Sequence, residues 1–188
     1  MIELEREMNL LESASEEAMV ENLFSVLKWF QSKGFGNPFN YNRGFEYIQS
    51  QMFGFELTRV GGGSDGINNE TNETAEFKAT SWKGIGRNNR ERTHSFSYNG
   101  TSRFESWENQ RAYCEKKIMR DPYHYWSIVD YEKGSFIKTF KVPAKTVWKL
   151  IEPKWYKSWQ NPKSNDPRIG CQVSTKSLEG EEFETIIH

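Results

Sequence analysis

Gly61-Gly62-Gly63-Ser64-Asp65, then Thr74-Ala75-Glu76-Phe77-Lys78-Ala79-Thr80, is the stretch that decides how this chain folds. Three consecutive glycines let the backbone approach a neighbour closely or take positive φ. Asn68-Asn69-Glu70-Thr71-Asn72, between the two halves, reads as a turn. Residues 74–80 alternate small or apolar side chains with polar ones, the period of a strand. Phe55 to Val60 reads as a strand leading into the glycines, so residues 55–82 are expected to form a hairpin. Residues two apart on a strand share a face. Glu76 and Lys78 therefore present a carboxylate beside an ammonium, while Phe77 points into a core and leaves its carbonyl as a further oxygen.

Two hard carboxylates, Asp65 and Glu76, suit Mg²⁺, which takes oxygen ligands and keeps several waters. Such a metal lowers the pKa of a bound water, and Lys78 can orient or help deprotonate that water and offset charge on an attacked phosphate. A Glu and a Lys two apart on a strand are often only a solvated ion pair. The upstream Asp65 and the glycine run set this pair apart, giving the layout of a divalent-metal nuclease centre.

With 188 residues the chain is long enough for a proper core. No apolar run approaches the ~18 residues of a membrane span, and no signal peptide is read at the start. No membrane association is expected. Cys114 and Cys171 have no metal spacing, and His94, His124 and His188 form no ligand cluster, so a reducing cytoplasm is expected and zinc is not. The net charge of −1 hides a strong polarity: residues 1–23 hold seven Glu and one Arg, whereas residues 77–168 hold nineteen Lys or Arg against nine acids. That distribution suits a phosphate-binding face with an acidic back.

Residues 2–33 read as helix, with Leu4, Met8, Leu11, Met19, Leu23, Leu27 and Phe30 spaced by helical turns and Gly34 as a stop. Ser13 and Glu16 could form a capping box that divides it in two. This segment is either a core-facing helix or a subunit contact. Phe45, Ile48 and Met52 mark a second, shorter helix. The polar run from Arg87 to Asn99 reads as a surface loop dense in groups that bond to base edges: Arg to guanine, Asn to adenine, Ser or Thr to either. Ser102 and Glu105 suggest a capping box opening a helix over 103–119. Tyr125–Tyr131 and Phe136–Val142 read as paired strands. Pro143 opens a short helix, Trp155 and Trp159 pack on the core or stack on bases, and Gln172–Lys176 is a candidate strand.

Taken together these features resemble the PD-(D/E)xK restriction endonucleases, and more narrowly the PvuII type. The similarity runs from about residue 55 to the C-terminus and rests on three places. They are Asp65…Glu76-Phe77-Lys78, the His-containing Thr93-His94-Ser95-Phe96-Ser97-Tyr98-Asn99, and Asn165-Asp166-Pro167-Arg168-Ile169-Gly170 after a tryptophan-rich stretch. The resemblance implies an α/β fold: a mixed sheet flanked by helices, with a long N-terminal helical segment, in a single nuclease domain over 1–188. It implies a homodimer that cuts both strands of double-stranded DNA with Mg²⁺ and leaves 5′-phosphates; the helix over 1–33, outside the stretch of resemblance, is the expected dimer contact. Asp65 and Glu76, with the Phe77 carbonyl, would hold the metal, and Lys78 would serve the attacking water. The reading segments would be 87–99 (Arg87, Asn88, Asn89, Arg90, Arg92, His94, Ser95, Ser97, Asn99) and 165–176 (Asn165, Asp166, Arg168). A DNA methyltransferase in the same cell is the expected companion.

The sequence departs from that pattern in places. Ser64 stands where the family often has proline. Gly62 stands where a further acidic residue is expected, so a second metal would need Glu46 or Glu73. A single His94 replaces a His run, and Asp166 replaces a second Asn, which suits a cytosine amino group. Two other readings share the same residues: a nicking subunit of a heterodimer, and a DNA-binding protein that does not cut.

Overall fold

The computed structural model describes residues 15–40, 42–61, 63–82, 94–130, 133–162 and 168–188. The chain divides into two compact units. One comprises the residues up to Gly44 together with Arg59–Gly61, and the other comprises Phe45–Thr58 with Gly62–His188.

In the first unit, helix α1 spans Glu16–Ser32. Its N-cap is Ser15, whose hydroxyl accepts the Ala18 N–H at 3.3 Å; Ser13 lies outside the described residues, as does the rest of the expected helix over 2–14. The helix stops at Gly34, which takes φ +74°. The chain folds back there through a Phe35 N–H to Phe30 carbonyl bond of 3.0 Å. Trp29, Phe30 and Phe35 then meet edge to face at 5.5–6.0 Å. Along the rest of the helix Val20, Leu23, Phe24 and Val26 are exposed, although apolar positions spaced by helical turns usually mark a covered face.

The second unit is α/β. Strands β1 (Glu56–Leu57), β2 (Gly66–Ile67), β3 (Thr74–Ser81), β5 (Tyr123–Asp130), β6 (Ser135–Pro143) and β8 (Glu184–Ile187) form a mixed six-stranded sheet in the order β1-β2-β3-β5-β6-β8. Only the β3–β5 pairing is parallel, which requires a crossover between them. That crossover supplies β4 (Ser95–Ser102) and helix α3 (Trp107–Met119), and β4 pairs antiparallel with β7 (Arg168–Ser174) in a separate two-stranded sheet. Helix α2 (Arg43–Met52) precedes the sheet, and α4 (Ala144–Gln160) follows β6. The main core gathers Phe96, Tyr98, Ile118, Trp126, Trp148, Trp155, Ile169 and Val173 from β4, β5, β7, α3 and α4. No described helix is long and apolar enough to cross a membrane.

Several expectations need correction. Residues 95–99 are strand, not loop, because Phe96 and Tyr98 are 1% and 3% exposed and need a core side. Helix α3 is capped by Ser106, which accepts the Asn109 N–H, rather than by Ser102, which ends β4. The first strand is two residues long, not six. Helix α4 is not short: Pro153 lies inside it, after a first turn that Pro143 leaves without a side-chain cap. Residues 175–178 leave the β7 strand for a 3₁₀ turn. Trp155, by contrast, does as expected: it is fully buried in the core and donates to the Tyr98 carbonyl at 3.2 Å.

Candidate active site

The turn between β2 and β3 brings Asp65 back onto the strand it precedes. The Asp65 N–H bonds the Ala75 carbonyl at 3.0 Å, and its carboxylate Oδ2 accepts the Phe77 N–H at 2.8 Å. Gly66 is required here, since a Cβ would lie 2.7 Å from the Phe77 ring. Phe77 is buried among Phe55, Ala75 and Tyr125, which turns Glu76 and Lys78 to the opposite face. The Lys78 ammonium bonds Glu76 Oε1 at 2.5 Å and the Phe77 carbonyl at 3.3 Å.

Arg120, just past α3, ties the glycine-rich loop to this face. It donates to the Gly63 carbonyl and to Ser64 Oγ, and it stands 3.8 Å from Glu76 Oε2. Gly62 and its absent carboxylate lie outside the described residues. On the near side, Glu76, Lys78, Ser97, Tyr98, Asn99, Lys117, Ile118 and His124 line a cleft of ≈ 160 Å³. Asp65 is not among the cleft-lining residues; it reaches the pair through the Phe77 amide.

Charge is concentrated in little water here. Burial, reinforced by Glu76 and Glu46, pushes Asp65 up to about 8 against the pull of Lys78 and the Phe77 N–H. Burial acts the same way on Glu76, but the Lys78 ammonium, by charge and by hydrogen bond, outweighs it with help from Lys117 and holds Glu76 below its ordinary value. Burial would lower Lys78, yet Glu76 and Asp65 overcome it and hold the ammonium well above the ordinary lysine range. In this metal-free charge state Lys78 is a cation, placed to orient a water and offset phosphate charge.

Among the described residues no cluster of three His, Cys, Asp or Glu converges on a metal position. The available donors are two carboxylates and the Phe77 carbonyl, an all-oxygen set of the kind Mg²⁺ accepts while keeping its waters. One feature supports the fit: the Lys78 ammonium bridges Glu76 Oε1 and the Phe77 carbonyl, two of the three expected ligands, so a cation is already favoured there. Glu46 acts electrostatically on both Asp65 and Lys78; Glu73 ends the hairpin turn just before β3, half-buried, with its carbonyl accepting the Asn68 N–H.

The expected reading residues divide. Arg87, Asn88, Asn89, Arg90, Arg92, Asn165 and Asp166 lie outside the described residues. On β4, Ser95, Ser97 and Asn99 share the face opposite Phe96 and Tyr98, with Ser97 and Asn99 exposed at the cleft. His94 stacks on Trp82 at 6.1 Å and bonds the Trp82 carbonyl at 3.2 Å, which occupies one ring nitrogen. Arg168 opens β7 and is exposed.

Four residues of the site were not singled out from the sequence: Tyr98, Lys117, Arg120 and His124. Lys117 lines the cleft and donates to the Asn99 carbonyl at 2.9 Å. The sequence signal for it was a basic pair closing a helix. For His124 the signal would have been the parallel register that sets it beside Glu76. No protein-family model matches the chain, and no characterised protein is significantly similar to it.

Proposed function

We propose that this protein is a Mg²⁺-dependent, site-specific deoxyribonuclease: a type II restriction endonuclease of the PvuII-like PD-(D/E)xK kind, making double-strand cuts. The observation that carries the reading is the convergence of Asp65, Glu76 and Lys78. The Asp65 carboxylate is pinned to the amide between the other two, and the Glu76–Lys78 pair faces a cleft. The parallel β3–β5 pair, crossed over by β4 and α3, is compatible with the restriction-endonuclease fold.

Asp65, Glu76 and the Phe77 carbonyl would hold Mg²⁺. When bound, the ion supplies acidified water and polarises a phosphoryl oxygen. Lys78 orients the attacking water and neutralises charge developing on the phosphate. Lys117, across the cleft, draws the phosphate in. Ser97 and Asn99 meet groove edges from the open face of β4. Cleavage breaks the P–O3′ bond and leaves a 5′-phosphate. The homodimer reading is supported by α1, whose exposed Val20, Leu23 and Phe24 offer an apolar face to a second copy. A companion methyltransferase would protect the host's own sites.

Incubating supercoiled plasmid and bacteriophage DNA with the protein in Mg²⁺ or in EDTA tests this. Discrete linear fragments ending in 5′-phosphates at one short palindrome, formed only with metal, are expected. Nicks confined to one strand would assign a half-enzyme. Specific binding without cutting in either Mg²⁺ or Mn²⁺ would assign a DNA-binding protein.

A further inference from the structure

A directional hydrogen-bond chain runs through the core behind the cleft. Trp126 Nε1–H donates to the Tyr98 hydroxyl oxygen at 2.6 Å, the hydroxyl meets His124 Nδ1 at 2.9 Å, and His124 Nε2 meets the Ile118 carbonyl at 3.1 Å. Indole nitrogen can only donate and a carbonyl can only accept. The Tyr98 oxygen must therefore accept from Trp126 and spend its own proton on Nδ1, and His124 carries its proton on Nε2. Tyr98, His124 and Trp126 are 3%, 1% and 0% exposed, so no water competes for these bonds.

The two ends of the chain are placed tellingly. In the parallel β3–β5 ladder, His124 is the register partner of Glu76, and Trp126 is the register partner of Lys78. Tyr98 belongs to neither strand. It sits on β4 between Ser97 and Asn99, which line the cleft, and its ring lies 5.7 Å from the Lys78 ammonium.

We infer that Tyr98 is a positioning residue for cleavage: its hydroxyl, acting through His124 and Trp126, fixes the cleft wall built by β4 against the Glu76–Lys78 pair. This rests on the nuclease reading above. It deepens that reading by linking the strand that carries Ser97 and Asn99 to the strand that carries the chemistry. A buried tyrosine that merely filled the core would need any one partner for its hydroxyl. This one takes two, and each is the lateral neighbour of a catalytic side chain.

Tyr98→Phe in the full chain removes the hydroxyl and keeps the ring. Gln110→Met serves as the control. It deletes a hydrogen bond made by another fully buried side chain, which accepts the Phe104 N–H at 2.8 Å and does not line the cleft. DNA affinity in Ca²⁺, single-turnover cleavage in Mg²⁺ and thermal midpoint are measured for each. Tyr98→Phe is expected to bind DNA within about threefold of wild type and to cleave roughly 10–100-fold more slowly, the range for residues that orient a metal site from behind. Gln110→Met is expected to lose thermal stability and retain the cleavage rate. His124→Gln addresses the same bond from its other end and should reproduce the slow cleavage, which keeps the test decisive should Tyr98→Phe fold poorly. Wild-type cleavage by Tyr98→Phe overturns the inference, as does equal slowing in Gln110→Met. Absence of cleavage by the unaltered chain overturns the nuclease reading itself, and this inference with it.

Discussion

Strands β3 and β4 are both eight residues long and both alternate buried with less buried side chains, yet they are built for different work. β3 is held on both sides, by β2 and by β5, and its outward pair Glu76 and Lys78 keeps side-chain exposures of only 18% and 21%. Among the described residues β4 pairs as a strand only with β7, and it leaves Ser97 and Asn99 open to solvent. A partly desolvated, doubly anchored strand strengthens every charge interaction it carries, at the cost of burying charge. A singly anchored strand with neutral polar side chains can meet a ligand without that cost. Under the proposed nuclease function the chemistry falls to the stiff strand and the reading to the accessible one.

The largest effects belong to the stiff strand and its hairpin. Asp65→Ala, Glu76→Ala and Lys78→Ala should each lower cleavage by roughly 10²–10³-fold or more, the scale of removing a preorganised electrostatic group, while specific binding in Ca²⁺ persists. Near-wild-type cutting by any one of them takes that residue out of the site. Arg120→Ala should come next. It frees the Gly63–Ser64 loop that presents Asp65 and leaves the contacts of Asp65 with Ala75 and Phe77 in place. A loss of roughly 10–100-fold in cleavage is expected, as for outer groups that orient metal ligands. Unchanged cleavage would show that β3 alone holds the carboxylates.

How much of this was legible beforehand differs between the two strands for a physical reason. β3 announces itself locally: period-two alternation, a turn before it and glycines before that. The shared face of Glu76 and Lys78 follows from strand geometry alone. The existence of α2 and the β5–β6 pair was legible in the same way. β4 reads locally as a loop because its outward side chains are polar and Asn99 and Gly100 disfavour strand; its strand character comes from burying Phe96 and Tyr98 against Trp126, a tertiary contact. Tyr98, His124 and Arg120 were missed for a related reason. Their roles depend on the parallel register of β3 with β5 and on where α3 ends, and neither is written in a local pattern. Helix α2 shows the same limit: Ile48 and Met52 mark it, but its fully buried residues are Gln49 and Ser50, and Gln49 bonds the Lys78 and Tyr125 carbonyls and Ser127 Oγ across β3 and β5.

The pH dependence tests whether β3 pays for its burial in protonation. Asp65 is raised to about 8, chiefly by burial and by the Glu76 and Glu46 charges. Between the ordinary carboxylate range and that value, the folded metal-free chain holds a proton that the unfolded chain releases. Asp65 therefore lends stability at low pH that is lost as pH rises towards about 8. Metal binding needs the ionised carboxylate, so Mg²⁺ affinity should climb about tenfold per pH unit below that point and then level off. Thermal midpoints in EDTA and calorimetric titrations with Mg²⁺ across this range check both signs. In Asp65→Asn the contribution of this group to the EDTA profile should vanish. A Mg²⁺ affinity that does not change with pH would mean that Asp65 is already ionised in the folded protein.

The smallest effects should come from the open strand, and they separate reading from holding. Ser97 and Asn99 are exposed on β4, and Lys117 stands across the cleft with its ammonium on the Asn99 carbonyl. Base-edge contacts carry sequence information, whereas phosphate contacts mainly position the duplex. Asn99→Ala removes an amide and leaves the backbone carbonyl that receives Lys117, so the two roles can be altered independently. It should cost ~1 kcal/mol on the cognate site, the low end for one base contact, and almost nothing on random DNA. Lys117→Ala should weaken both alike and reduce the slope of log affinity against log salt by about one. His94→Ala is the sharper comparison on the same segment. Its ring is already committed to Trp82 at the end of β3, so a loss spread over all sequences would make it a joint between the strands and not a reader. If Asn99→Ala likewise weakens cognate and random DNA equally, β4 is a phosphate shelf, and the division between the two strands reduces to one of rigidity alone.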